Sequence, residues 1–387
     1  MLAAAAAGHG ERVRELVDDD FPQVVGEDVE LIVWAADYGA FQVLDTRLSE
    51  WLPGQADPVP EDAVRTALEI ARGWTGVEVV AELRRRLGDA NAVVHRDLVS
   101  LDYHGHAERV RVTAADGRWA EVQTAHPAIV TSLEKCLGIG ASYEDLMARA
   151  LVTRCSDSVN WHESWYSAIS RPDAEATLRW ATEVLPHRDA DARRFAAEVV
   201  HSLAIDAAPS RDAALTTLRA RVAAERDAGV LVSLVGALAE YHGSGFLPEI
   251  ASFAAHPDPR VRRQVAEELC FALMDPGSLP TGVSFLAELG RDRDGSVRAT
   301  ALRALRDFAF DHPATGQLVA DARDDTDPRV APEVLLALAR GGDTTAYEAL
   351  RRLGEEAGEG SGLAMLAYDA ARWIAKARSA EAAPPQR

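Results

Sequence analysis

Cysteine is nearly absent: Cys136, Cys155 and Cys270 are the only three in 387 residues. An odd, widely spaced set excludes a disulfide framework and reads as reduced thiols in a cytoplasmic protein. Lysine is scarcer still, occurring only as Lys135 and Lys376. Arginine carries the positive charge instead, the bias of a GC-rich, actinobacterial genome. Basic residues as a whole are outnumbered, 41 against 61 acidic ones, which leaves a net charge of −20. Such a chain repels phosphate, so no nucleic-acid partner is expected. No apolar run approaches the length of a membrane span, and the alanine run from Leu2 to Ala7 lacks the basic flank of a secretion signal. Neither a Ser-His-Asp spacing, nor a phosphate loop, nor a Cys-x-x-Cys pair is present. These absences point away from catalysis and from a bound cofactor or metal. The expected partner is a protein or peptide, basic or apolar, because an acidic surface attracts its opposite.

What the chain has in quantity is repetition. A degenerate Asp-x-x-Val-Arg-x-x-Ala-x-x-Ala-Leu pattern begins at Asp189, Asp227, Asp258, Asp294 and Asp327. Subtracting successive numbers gives spacings of 38, 31, 36 and 33 residues. A period of that size with helical patterning marks a stack of helix pairs. Three residues after each Asp stand Ala192, Val230, Val261, Val297 and Val330. Four residues further stand Ala196, Leu234, Val265, Ala301 and Val334, and four further again Val200, Leu238, Leu269, Leu305 and Leu338. Steps of four trace one helical face, so these positions predict the buried stripe of the second helix of each pair. Each Asp would cap its helix and meet the positive end of the helix dipole. Asp258-Pro259 and Asp327-Pro328 add proline at the first helical position. The first helices of the pairs fall at about 173–185, 211–226, 245–255, 279–290, 314–323 and 344–353. A last amphipathic helix runs from Gly362 to Arg378.

This pattern resembles the HEAT repeat family in its short bacterial form, the form shared with the lyases that attach bilin chromophores. Asp258-Pro259-Arg260-Val261-Arg262 and Asp294-Gly295-Ser296-Val297-Arg298 match best. The resemblance implies an α-solenoid over residues 154–378. It also implies a structural ladder between successive repeats made by Asp189, Arg193, Asp258, Arg262, Asp294 and Arg298. One HEAT-like family excises damaged bases from DNA, using a basic groove with tryptophans. Trp161, Trp165 and Trp180 are present here, but no basic run accompanies them.

The N-terminal part, 1–90, repeats differently. Ala6 to Leu16, Ala35 to Leu44 and Ala71 to Leu83 each pair a small-residue helix with a Gly break and a second helix. They resemble the helical half of ankyrin repeats, or else form a generic array of helical hairpins. The usual Thr-Pro-Leu-His turn is missing, and Pro53 to Pro60 makes a longer connector than ankyrins use. Between the arrays, in 91–153, period-two alternation at Glu108 to Thr113 and Trp119 to Thr124 flanks Ala115-Asp116-Gly117-Arg118. This predicts one β-hairpin, with two helices after it near 126–137 and 142–153. The fold class expected is thus all-α, with a HEAT-like solenoid, an ankyrin-like N-terminal array and a small β-hairpin insertion. The tail 379–387, with Pro384-Pro385, is expected to be disordered.

Three places offer candidate site residues. Trp161-His162-Glu163-Ser164-Trp165-Tyr166 is the densest aromatic cluster. Trp161, His162, Trp165 and Tyr166 would supply a recognition patch at the array junction, or else the core of that junction. Asp102-Tyr103-His104-Gly105-His106 carries metal-ligand residue types, with Asp97, Asp102 or His126 to complete a set, but its spacing matches no metal motif and reads as a polar loop. Glu268 stands where other copies have Val199, Ala237, Ala304 and Ala337, so it either reaches solvent at the repeat rim or needs a partner. The function expected is a noncatalytic protein- or peptide-binding repeat scaffold that uses the concave HEAT face and the aromatic junction. The alternative is a solenoid lyase or a peptide-tailoring enzyme or its partner, with a HEAT-like DNA glycosylase further behind.

Overall fold

The computed structural model describes residues 25–49, 59–101, 104–206, 209–358 and 361–382. It is predominantly helical, with one small antiparallel sheet. Contacts divide the chain into two units, Met1–Leu203 and Ala204–Arg387.

In the first unit α1 (Val25–Tyr38) and α2 (Phe41–Ser49) meet at Gly39, and α3 (Glu61–Gly73) and α4 (Val79–Leu87) follow. Gly39 is obligatory: its φ is +80°, and a Cβ there would lie 1.9 Å from the Gln123 carbonyl oxygen. Two of the N-terminal sequence repeats therefore do form helix–Gly–helix units; Ala6 to Leu16 lies outside the described residues. So does most of the Pro53 to Pro60 connector.

The sheet has the order β1 (Val93–Ser100), β2 (His106–Thr113), β3 (Trp119–Gln123). The predicted hairpin is β2–β3, turned at Gly117 with φ +86° and tied by Ala114 N–H to the Arg118 carbonyl at 2.8 Å. The sequence reading of one hairpin needs correcting, because β1 adds a third strand, pairing Val93 with Thr113 through Ser100 with His106. Val110, Val112 and Val122 from one face of the sheet pack with Leu83 and Leu87 of α4 and with Trp74. That helical cover supplies the burial a lone hairpin lacks.

Helices α5 (His126–Cys136), α6 (Tyr143–Ala150), α7 (Val159–Ile169) and α8 (Ala174–Val184) follow the sheet. Ser142 and Asp145 form a reciprocal capping box at the start of α6. A long α9 (Ala190–Asp206) comes next, with Phe195 edge-on to Trp161 at 5.3 Å between centroids.

The second unit runs α10 (Arg211–Ala224), α11 (Ala228–His242), α12 (Pro248–Ala251), α13 (Pro259–Glu268), α14 (Cys270–Leu273), α15 (Leu279–Leu289), α16 (Gly295–Phe308), α17 (Pro313–Asp321), α18 (Ala331–Arg340), α19 (Thr344–Ala357) and α20 (Gly362–Ala382). Successive elements pack on one another, α10 on α11, α11 on α13, α13 on α16 and α18 on α19. The helix expected at 245–255 is only the short α12, entered by Pro248. The tail expected from 379 to be disordered is helical as far as Ala382, and the rest lies outside the described residues.

The buried stripe has the phase the repeats predict. Every position of the three aligned sets is buried except Leu338, which is half-buried. The helix starts repeat in detail too. Asp227 caps α11 by accepting from Val230 N–H, Asp258 caps α13 through Arg260 N–H, and Asp294 caps α16 through Ser296 N–H. Two residues before each repeat Asp stands a side-chain acceptor for that Asp's own N–H: His187, Glu225, His256, Asp292 and Asp325, at 2.8 to 3.1 Å.

The ladder differs from the expected one in its acids. Arg262 pairs with Asp292, and Arg298 with Asp325, each at 2.7 Å. The acids are thus the residues two before the repeat Asp, while Asp258 and Asp294 are occupied with capping. Arg193, Arg262 and Arg298 also share one backbone contact, donating to the carbonyls six and five residues earlier. Asp189 instead meets Arg154, at 3.1 Å.

Candidate functional site

The aromatic cluster lies on α7, which Ser158 caps through Trp161 N–H. One helix presents its four candidate residues to different surroundings. Trp161 is only 2% exposed, and its indole N–H donates to Glu198 Oε2 at 2.6 Å. It packs between α7 and α9, so it is part of the interior. Burial raises the Glu198 carboxyl above its ordinary pKa despite the nearby Arg194. Trp165 is half-buried, with its N–H on Ser202 Oγ at 3.1 Å. Tyr166 is 46% exposed, and the Lys135 ammonium sits 4.8 Å from its ring centre. Glu268 belongs to the second unit.

Beside Lys135 opens a groove of about 740 Å³. Helix α5 supplies Thr131, Glu134 and Lys135, and the α5–α6 loop supplies Ile139 and Ala141. Tyr143 of α6 and Ser167 of α7 form further walls, and Arg171 to Asp173 close one end. The Tyr143 wall is stiff. Its ring stacks on Trp180 at 4.8 Å, the Arg171 guanidinium lies 3.9 Å from its centre, and its hydroxyl is 2.8 Å from Thr177 Oγ1. Glu134, although in the groove wall, is 95% buried and held by Arg72 at 2.9 Å and Arg149 at 2.7 Å. Asp173 caps α8. Sequence reading missed this groove because its residues come from three helices and two loops with no shared spacing.

A second constellation surrounds His104, in the short β1–β2 connection. Gly105 turns the chain there with φ +83°, and a Cβ on it would lie 2.0 Å from the Asp157 carbonyl oxygen. The turn is tied down by Leu101 N–H to Gly105 O at 2.8 Å and by His106 N–H to Asp157 O at 2.9 Å. It is thereby fixed against the entrance of α7. His104 Nδ1 lies 3.1 Å from Glu163 Oε1, and its Nε2 lies 3.4 Å from Asp45 Oδ2. The His162 ring meets the His104 ring edge-on at 5.5 Å. Phe41 flanks His104 at 5.1 Å. The Asp45 and Glu163 carboxylates push the His104 imidazolium pKa up to about 10. His162, by contrast, is lowered by burial.

The sequence grouped His104 with His106, Asp97 and His126, and the fold separates them. His106 turns to Cys155, 3.9 Å from its sulfur. Asp97 is paired with Arg109 across the sheet. His126 is buried on Asp37 O at 3.1 Å and stacked on Trp74, and burial lowers its pKa to about 4. Asp102 lies outside the described residues. Among the described residues, His104, His162 and Glu163 are the one group of three His, Cys, Asp or Glu side chains whose ligand atoms lie within 4.8 Å of one another.

In the second unit Glu268 is buried, not at a solvent rim, with 7% exposure. Gln264 Nε2 donates to it at 2.6 Å. Burial first, with added repulsion from Glu240 and Glu267, raises its pKa to about 8.

No protein-family model matches the chain, and no curated protein matches it. It is similar in structure to two crystal structures described only as engineered proteins. One is 19% identical and covers 51% of this chain and 96% of its own, with a TM-score of 0.34. The other is 17% identical and covers 94% of this chain and 98% of its own, with a TM-score of 0.38. At those scores the likeness carries no argument about fold or function.

Proposed function

We propose that this chain is a noncatalytic scaffold that binds a peptide segment of a partner protein. In this reading residues 154–378 are a HEAT-like solenoid, supported by five phased copies of one capping pattern and by the Arg262–Asp292 and Arg298–Asp325 ladder. The observation that carries the binding role is the groove of about 740 Å³ lined by Lys135, Ile139 and Tyr143. Its size is that of a pocket for one anchor side chain and its neighbours. Tyr143, held between Trp180 and Arg171, is a rigid aromatic wall, the kind of surface that anchors interfaces at small entropic cost. Ile139, 37% exposed, offers apolar area in its wall, and Tyr166, 46% exposed, adds more against Lys135 of that wall.

The occupant is an apolar anchor in an extended or helical segment. The carboxylates of the groove are already engaged, Glu134 by two arginines and Asp173 by the helix it caps. Basic residues flanking the anchor would meet the acidic remainder of a chain with net charge −20.

A random-peptide display selection against the full chain tests this reading. The expected result is a consensus built on an aromatic or aliphatic anchor, selected by the natural protein and not by Ile139→Asp. Failure to enrich any consensus, or equal enrichment on Ile139→Asp, would contradict it.

A further inference from the structure

The turn carrying His104 and the first two turns of α7 place imidazoles and carboxylates around one point, and this does not depend on the groove. We infer that His104, His162 and Glu163 form a binding site for one divalent transition-metal ion of the zinc class, with Asp45 as the supporting carboxylate.

The geometry divides the roles. Two donors that share one ion at ~2.1 Å lie about 3–3.4 Å apart. His104 Nδ1 and Glu163 Oε1 are 3.1 Å apart, the separation of two ligands of one ion; a hydrogen bond joins them, and the ion would take the place of its proton. The ligand atoms of all three residues lie within 4.8 Å of one another, and binding would draw the His162 nitrogen toward the other two. The far nitrogen of His104, Nε2, then donates to Asp45 Oδ2, 3.4 Å away. That is the carboxylate–histidine–metal arrangement that orients a ligating imidazole and strengthens it as a donor. Glu163 has its own support: Ser132 Oγ donates to Oε2 at 3.2 Å, leaving Oε1 for the ion. Phe41 and Trp165 flank the His104 and His162 rings at 5.1 and 5.5 Å.

The backbone fixes the site in advance. Gly105 cannot carry a side chain where it touches Asp157, and the hydrogen bond from His106 N–H to Asp157 O registers the turn against α7. Two imidazole nitrogens and one carboxylate oxygen are the donor set of zinc and iron(II) centres, and calcium and magnesium, which favour all-oxygen sets, fit it poorly. Three protein donors leave a coordination position for water or for a group from a partner.

Zinc titration of the chelator-treated full chain, followed by calorimetry and by imidazole proton resonances, tests the inference. The expected result is one zinc per chain, with the resonances of two histidines shifting. His104→Gln and His162→Gln should each abolish that binding event, and Asp45→Asn should weaken it about 10–100-fold. His95→Ala, an exposed histidine on β1, should leave it unchanged. Cobalt in place of zinc should give visible absorption bands in the natural protein and not in Glu163→Gln. Binding unchanged in both His104→Gln and His162→Gln, or zinc addition to the natural protein that shifts no histidine resonance, would overturn the inference whether or not a variant folds poorly.

Discussion

Arg262 and Asp292 form a two-pronged pair: Nε and Nη2 of the arginine each lie 2.7 Å from a separate oxygen of the aspartate. The third arm of Arg262, Nη1, is bound to the carbonyls of His256 and Pro257 at 2.8 and 3.0 Å. With side-chain exposures of 5% and 11%, water screens the pair weakly. Asp292 simultaneously accepts from Asp294 N–H, so the pair ties one repeat's helix to the loop that starts the next.

Arg262→Ala is therefore expected to destabilise the second unit by ~3–5 kcal/mol, because Asp292 is left charged and unpaired. Arg262→Met with Asp292→Leu should recover much of that loss. Chemical denaturation of the single and double variants checks this.

Leu269 ends the buried stripe of α13 and is 2% exposed. Leu269→Ala should cost about 2–5 kcal/mol. A thermally silent variant would mean the stripe is not packed as described.

The residues of α7 separate cleanly in stability. Trp161→Ala removes an interior indole and should cost ~3–5 kcal/mol. Tyr166→Ala should stay within about 0.5 kcal/mol of the natural protein, since half its ring surface is already in water. Thermal melts of the two variants distinguish an interior residue from a surface one.

Glu268 sets a pH dependence. Its folded pKa of about 8 lies above the ordinary carboxylate value of 4.5, so the folded state holds its proton more tightly. The stability this contributes is complete below the ordinary pKa and is lost as pH rises through about 8. Glu268→Gln keeps an uncharged partner for Gln264 and cannot ionise. Relative to the natural protein, its melting temperature should rise between about pH 4.5 and about pH 8 and stay level above that.

The sequence revealed the repeat phase because aspartate caps and apolar steps of four are chemically narrow. The acceptor two residues before each Asp was not legible, since His187, Glu225, His256, Asp292 and Asp325 perform one task with three residue types. Strand β1 escaped notice because His95, Arg96 and Asp97 are consecutive polar residues on an edge strand, which breaks the period-two signal. His104 and His106 read in sequence as parts of one polar loop. The positive φ of Gly105 turns the chain between them and sends His104 to α7. Glu163, Asp45 and Ser132 are distant in sequence, so only the fold brings them to that histidine.

The most direct test of the scaffold reading is a titration of the selected consensus peptide into four forms of the full chain: natural, Ile139→Asp, Tyr166→Ala and His95→Ala. The account predicts a single site, weakened by ~1–2 kcal/mol or more by Tyr166→Ala, abolished by Ile139→Asp and untouched by His95→Ala, with melting temperatures unchanged. Equal affinity across all four forms would place binding away from the groove and contradict the account.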